Sequence, residues 1–160
     1  AEIENLFLIE DFIVKFAQYK HETIDIDNLK SKVIQAANDN MELQLAAYIA
    51  SAINYTFAES HIKRADTKAK VAENYAAFTK SINIENLYTD QKQKIVKIIY
   101  DKDYDNLIKI INHKGLVSLV AQEFRYTKQK DYIEKALSFL KEEDTGRGIL
   151  KAYFPQELIS

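Results

Sequence analysis

The stretch Leu6-Phe7-Leu8-Ile9-Glu10-Asp11-Phe12-Ile13-Val14-Lys15-Phe16 decides the fold class. Leu6, Ile9, Ile13 and Phe16 return at steps of three and four, the period of one face of an α-helix. The same spacing recurs downstream. Leu29, Val33, Ile34 and Ala37 follow Asp25 or Asp27, either of which can cap a helix. Leu43, Ala47, Ala50, Ile53 and Phe57 follow Asn40. This third helix is rich in small residues, Ala46, Ala47, Ala50, Ser51 and Ala52 among them. Small side chains let a neighbouring helix approach closely, which places it at the centre of the bundle.

The polar stretch Glu59 to Lys70 interrupts the apolar face, and a break is expected near Arg64 with Asp66 capping a fresh helix. Val71, Tyr75, Phe78 and Ile82 continue at helical spacing. Thr89 reads as the cap of Asp90–Tyr100. Its Ile95, Val96, Ile98 and Ile99 would also suit a strand, but the polar run from Asp90 to Lys94 argues for helix. Asp103 or Asp105 caps Asn106–His113, and Gly115 punctuates. Leu116, Leu119, Val120 and Phe124 follow, then Tyr132, Ile133, Ala136, Leu137 and Leu140.

Three Gly and one Pro in 160 residues suit helices joined by short polar links better than sheets, which spend both on turns. The expectation is an all-α fold: a single compact helical bundle of seven to eight helices with short connections. It spans 1–160 as one domain, with 144–160 as a flexible or back-folded tail. Gly146-Arg147-Gly148 supplies the flexibility, and Ile149 to Phe154 supplies an apolar segment that can return to the core.

Composition excludes several classes. Hydrophobic residues at 47% and charged residues at 29% describe a folded, water-soluble chain. Cysteine is absent, so disulfides and thiolate metal sites are ruled out, and a cytoplasmic location is expected. No apolar run approaches the roughly 20 residues of a membrane helix. The net charge of −2 gives no global pull toward nucleic acid or membrane. Residues 1–60 carry four Lys against ten acids, whereas residues 61–160 carry eighteen Lys plus Arg against fourteen. That polarity points to a partner surface.

Chemical motifs fail at named positions. Asp101-Lys-Asp103-Tyr-Asp105 begins like a helix–loop–helix calcium site. Asn106 then stands where the loop needs Gly, and Asn112 where it needs a bidentate Glu. His21, His61 and His113 form no His-Glu-x-x-His and no repeated Glu-x-x-His, so zinc and di-iron readings lapse. His113, beside Lys114 and Gly115, suits a helix C-terminus. No Ser sits in a Gly-x-Ser-x-Gly elbow, and Gly146-Arg147-Gly148 is too short for a dinucleotide fingerprint. Asn54-Tyr55-Thr56 matches a glycosylation sequon but falls within the third helix. No catalytic, cofactor or metal residue is assigned, and a non-enzymatic protein is expected.

Two basic clusters remain. Lys63, Arg64, Lys68 and Lys70 form one, with His61 beside them. Arg125, Lys128 and Lys130 form the other, interleaved with Tyr126 and Tyr132. Lys and Arg near aromatic rings can grip a phosphate backbone and stack bases. The eighteen residues from Leu107 to Phe124 resemble the helix–Gly-Leu–helix element of the small helical subunit of type III CRISPR effector complexes. That resemblance implies a place in a nucleoprotein assembly. The first expectation is a helical protein–protein interaction or adaptor module with another protein as partner. The alternative is a small RNA- or DNA-binding subunit that uses the two clusters.

Overall fold

The computed structural model describes residues 3–111, 113 and 115–153. Its regular structure is entirely helical among those residues, so the all-α expectation holds. The order is a 3-10 turn Ile3–Leu8, α1 (Glu10–Lys20), α2 (Ile26–Asp39), α3 (Met41–Glu59), a 3-10 turn Ile62–Arg64, α4 (Lys68–Ser81), α5 (Ile84–Tyr100), α6 (Tyr104–Ile110), α7 (Leu116–Glu123), α8 (Gln129–Glu142) and α9 (Asp144–Tyr153). No described helix is long and apolar enough to cross a membrane.

Side-chain caps set several of these starts. Asp25 accepts from Asn28 N–H at 3.0 Å ahead of α2, and Asp103 accepts from Asn106 N–H at 3.2 Å ahead of α6. Asn106 also donates from its side chain to Asp103, and these bonds hold the Asp103 carboxyl below its ordinary range. Two expected caps move. Thr67, not Asp66, caps α4, accepting from Lys70 N–H at 3.2 Å. Asn83, not Thr89, begins α5, accepting from Asn86 N–H at 2.9 Å, so Thr89 lies inside the helix. The Ile95–Ile99 stretch is helical. Few glycines are needed because His21, His61, Lys102 and Arg125 take the left-handed conformation that Gly usually supplies after helices.

The chain gathers into two units. One joins the residues up to Asp39 with those from Ile98 onward; the other is residues 40–97. In the first unit α1 buries Phe12, Ile13, Phe16 and Ala17. Phe16 sits among rings, 4.9 Å from Phe124, 5.5 Å from Tyr132 and 5.8 Å from Phe139 between centroids. Leu29 and Val33 of α2 and Val117 and Val120 of α7 extend the same core. Three of its buried polar side chains bond to backbone carbonyls of the same unit. Asn5 donates from one amide to the carbonyls of Ile108 (2.9 Å) and Ile111 (2.7 Å). The phenols of Tyr104 and Tyr132 donate to the carbonyls of Leu8 (2.6 Å) and Phe7 (3.0 Å). Burial pushes both phenols far above the ordinary tyrosine range.

Gly146-Arg147-Gly148 is not a flexible link but part of α9, which packs on α1 and α8. The Gly146 backbone lies against Phe139, leaving no room for a side chain. Arg147 donates to the carbonyls of Leu140 (2.7 Å) and Lys141 (3.0 Å) at the end of α8, and pairs with Asp144. Those contacts hold the helix start where glycine propensity would loosen it. The expected tail beyond Tyr153 lies outside the described residues.

In the second unit α3 departs from its expected central place. Only Gln44 and Leu45 of its nineteen residues are buried. The alanines that would permit close packing carry little apolar area of their own, so they do not draw the helix inward.

Candidate interaction surface

Residues 40–97 hold apolar side chains that they do not bury. Among the described residues, Leu45 and Ile95 are the only buried hydrophobic residues of this unit, against twenty-two in the other. α4 buries none. Leu43, Tyr48, Tyr55, Val71, Tyr75, Ile84 and Val96 are exposed here. Tyr55 is 71% exposed, and Leu43 and Tyr75 are each more than half exposed. A helical unit of this size with two buried hydrophobic residues gains little from its own burial.

Half-buried residues outline a groove. Phe78 of α4 lies edge-on to Phe57 of α3, with centroids 5.5 Å apart, and 6.5 Å from Tyr75. Beside it opens a cavity of about 480 Å³ lined by Ile53, Phe78, Ile82 and Ile84, with Thr79, Asn83 and Glu85 as its polar members. The other side of Phe78 opens on a second hollow of about 250 Å³, lined by Thr56, Glu59, Ser60, Asn74, Ala77 and Ser81. The first is of the size that takes a few apolar side chains or a small ligand. Glu42, Tyr88 and Lys92 tie the start of α3 to α5. Tyr88 donates to Glu42 at 2.8 Å, Lys92 donates to Tyr88 at 2.9 Å, and Lys92 lies 3.5 Å from Glu42. The phenol, then the carboxylate, hold the Lys92 ammonium above its ordinary range.

The two basic clusters lie in different units. Lys63, Arg64, Lys68 and Lys70 flank the break between α3 and α4 and are exposed. Lys63 sits over the Phe57 ring at 5.7 Å, and Lys70 pairs with Glu73 at 3.0 Å. Arg64 and Lys68 meet no carboxylate among the described residues. Arg125, Tyr126, Lys128 and Lys130 surround the α7–α8 turn. Lys130 lies 3.6 Å from Glu134. The interleaved rings are not a stacking platform. Tyr132 is fully buried, and Tyr126 packs against it with its own hydroxyl buried. Of the ten tyrosines, Tyr104 and Tyr132 belong to the core.

The metal and nucleophile readings gain nothing. No group of three or more His, Cys, Asp or Glu among the described residues could hold a metal ion. Tyr104, in the middle of the calcium-like run, is buried, and Asp103 is occupied as a cap. Asn112 and Lys114 lie outside the described residues. His113 is not at a helix C-terminus: α6 ends at Ile110, and the His113 carbonyl accepts from Leu116 N–H as α7 begins. The stretch Leu107–Phe124 contributes Leu107, Ile108, Leu116, Val117, Val120 and Phe124 to the core, the pattern that packing requires of any helical hairpin. No protein-family model, no curated protein and no solved structure matches the chain.

Proposed function

We propose that this chain is a non-enzymatic helical interaction module, and that residues 40–97 form its docking face for another protein. The observation that carries the reading is the apolar surface left open there: the groove of Ile53, Phe78, Ile82 and Ile84, in a unit whose own hydrophobic burial is slight. Exposed apolar surface of this kind marks interaction sites in folded proteins. An amphipathic helix of a partner, presenting apolar residues at i, i+3 or i+4, and i+7, is the shape that fits such a groove.

Ile84→Asp tests it. Ile84 is 51% exposed and opens α5, where an acid is favourable, so the helix should survive the change. The tagged chain should retain a defined, stoichiometric protein from a native extract, and Ile84→Asp should lose it. Retention of the same protein by the variant, or of none by the parent, would overturn the reading.

Arg64 and Lys68, exposed with no carboxylate partner among the described residues, favour a second reading as an RNA- or DNA-binding subunit. Fluorescence anisotropy with short single-stranded RNA at two salt concentrations separates the two. A steep loss of affinity with salt supports nucleic acid, and no binding at low salt removes it.

A further inference from the structure

We propose that the second hollow beside Phe78, between α3 and α4, receives a lysine ammonium carried by the segment that docks in the apolar groove. The inference rests on the interaction reading and adds a charge requirement to its partner. Both helices end at this hollow. Thr56, Glu59 and Ser60 come from the end of α3, and Phe78 and Ser81 from the last turn of α4, with Asn74 one turn earlier. A helix C-terminus carries partial negative charge and favours a cation. Glu59 is the last residue of α3, where the same dipole disfavours an acid. Three other acids of this unit have local reasons for their places. Glu42 is held by Tyr88 and Lys92, Glu73 is held by Lys70, and Glu85 opens α5, where the dipole suits it. Glu59 has no hydrogen bond or ion pair among the described residues. Lys63, four residues on, lies over the Phe57 ring instead.

The hydroxyls of the hollow select the same guest. Thr56 donates to the Ala52 carbonyl at 2.9 Å, Ser60 to that of Phe57 at 2.5 Å and Ser81 to that of Phe78 at 2.7 Å. Each hydroxyl has one proton, and each proton is committed to its own helix, so what these oxygens offer a guest is lone pairs. An ammonium, with three donors and no acceptor, is the complement of such a lining. Acceptors drawn from two helices suit this compact, rotatable head better than the planar guanidinium fork, which matches a single carboxylate. Phe78 lines both hollows. One helix therefore reaches both with side chains three or four positions apart, whose Cβ atoms lie about 5–6 Å from one another. The partner is then an amphipathic helix that carries a lysine beside its apolar anchor.

Two synthetic helical peptides test the assignment. Both carry leucine at i, i+3 and i+7; at i+4 one has lysine and the other norleucine. They are titrated into the full chain at low salt, with the amide shifts of α3 and α4 followed by NMR. The lysine peptide should bind about three- to tenfold more tightly, a gain between that of an exposed ion pair and that of a charge-assisted hydrogen bond. High salt should shrink the gain. In Glu59→Gln the two peptides should bind alike, the norleucine peptide at its parental affinity. Because Glu59 opposes the α3 dipole, Glu59→Gln alone should leave Tm unchanged or raise it. Equal affinities in the parent, a lysine advantage that survives Glu59→Gln, or a lowered Tm in that variant would overturn the proposal. So would n-butylammonium that saturates the same shifts at the lysine peptide's concentrations, which would assign the hollow to a free amine. Binding of the norleucine peptide with no lysine advantage would leave the docking reading standing, whereas failure of both peptides would sink the two together.

Discussion

Gly146→Ala and Gly148→Ala should move stability in opposite directions, although both sit in α9 and neither has a positive φ. Helix propensity alone favours alanine at either site by about 0.8–1 kcal/mol. At Gly148 nothing lies within 4 Å of the new Cβ, so that gain should appear nearly whole. At Gly146 the new Cβ would stand 2.6 Å from Phe139 Cε1, 3.1 Å from its Cζ and 3.2 Å from Leu140 Cδ2. Phe139 cannot swing aside cheaply. Its ring is buried, with Tyr19, Phe12 and Phe16 at 5.1, 5.6 and 5.8 Å. Overpacking of this kind costs about 1–3 kcal/mol, which cancels or exceeds the propensity gain. The two variants should therefore differ by about 1–3 kcal/mol, or about 3–10 °C in Tm for a chain of this length. Urea unfolding followed by circular dichroism and tyrosine fluorescence measures the difference. Gly146→Ala matching or exceeding Gly148→Ala would refute the packing of α9 on Phe139 and restore the view of this segment as a flexible link.

Three further outcomes follow from the same packing. Asn5→Leu removes both buried bonds to the Ile108 and Ile111 carbonyls, so urea unfolding should report a loss of about 2–4 kcal/mol; a loss below 1 kcal/mol counts against it. The phenols of Tyr104 and Tyr132, raised by burial, contribute stability that is fully present below the ordinary tyrosine value of about 10 and is lost as pH rises through their folded values. An alkaline titration at 295 nm should show exposed tyrosines ionising near pH 10, with these two following only as the fold opens; ten equivalent transitions would contradict their burial. Amides of α3 and α4 should exchange with deuterium well before those of α1, α2 and α7, and Thr67→Ala should speed exchange in α4 further by removing a cap worth about 1 kcal/mol. Uniform protection across the chain would speak against a thinly buried second unit.

Local physics explains which parts of this fold could be read directly. The face Leu6, Ile9, Ile13 and Phe16 and the caps Asp25 and Asp103 involve residues only three or four apart, so spacing reveals them. Thr89 misleads because any Thr before a polar run resembles a cap, whereas Asn83, six residues earlier, takes that role, its side-chain amide oxygen accepting from Asn86 N–H. Gly146 misleads for another reason. Its helical conformation depends on Phe139, seven residues away and itself fixed by α1, which no local pattern encodes. The alanines of α3 are compatible either with a buried crossing or with a face awaiting a partner. The sequence does not distinguish them because alanine supplies too little area to decide its own burial. Tyr126 and Tyr132 sit among basic residues in order but turn into the core in space, so the aromatic half of the nucleic-acid motif dissolves while the Lys and Arg stay outside.

The contrast between the two units also determines how a partner would announce itself. A ligand that binds only the folded form stabilises it by about 2.7 kcal/mol at a hundred times its Kd. In the aromatic core around Phe16 that increment would be added to an already well-buried structure. In residues 40–97, where two hydrophobic side chains are buried, it would be a large share of what holds the helices in place. Docking on this face, as proposed, would therefore be thermodynamically linked to the ordering of α3 and α4, and occupancy should be visible as slowed amide exchange there before any change is seen in α1 or α7. A partner acting instead through Arg125, Lys128 and Lys130 would touch the other unit, and slowed exchange would be expected first around the α7–α8 turn.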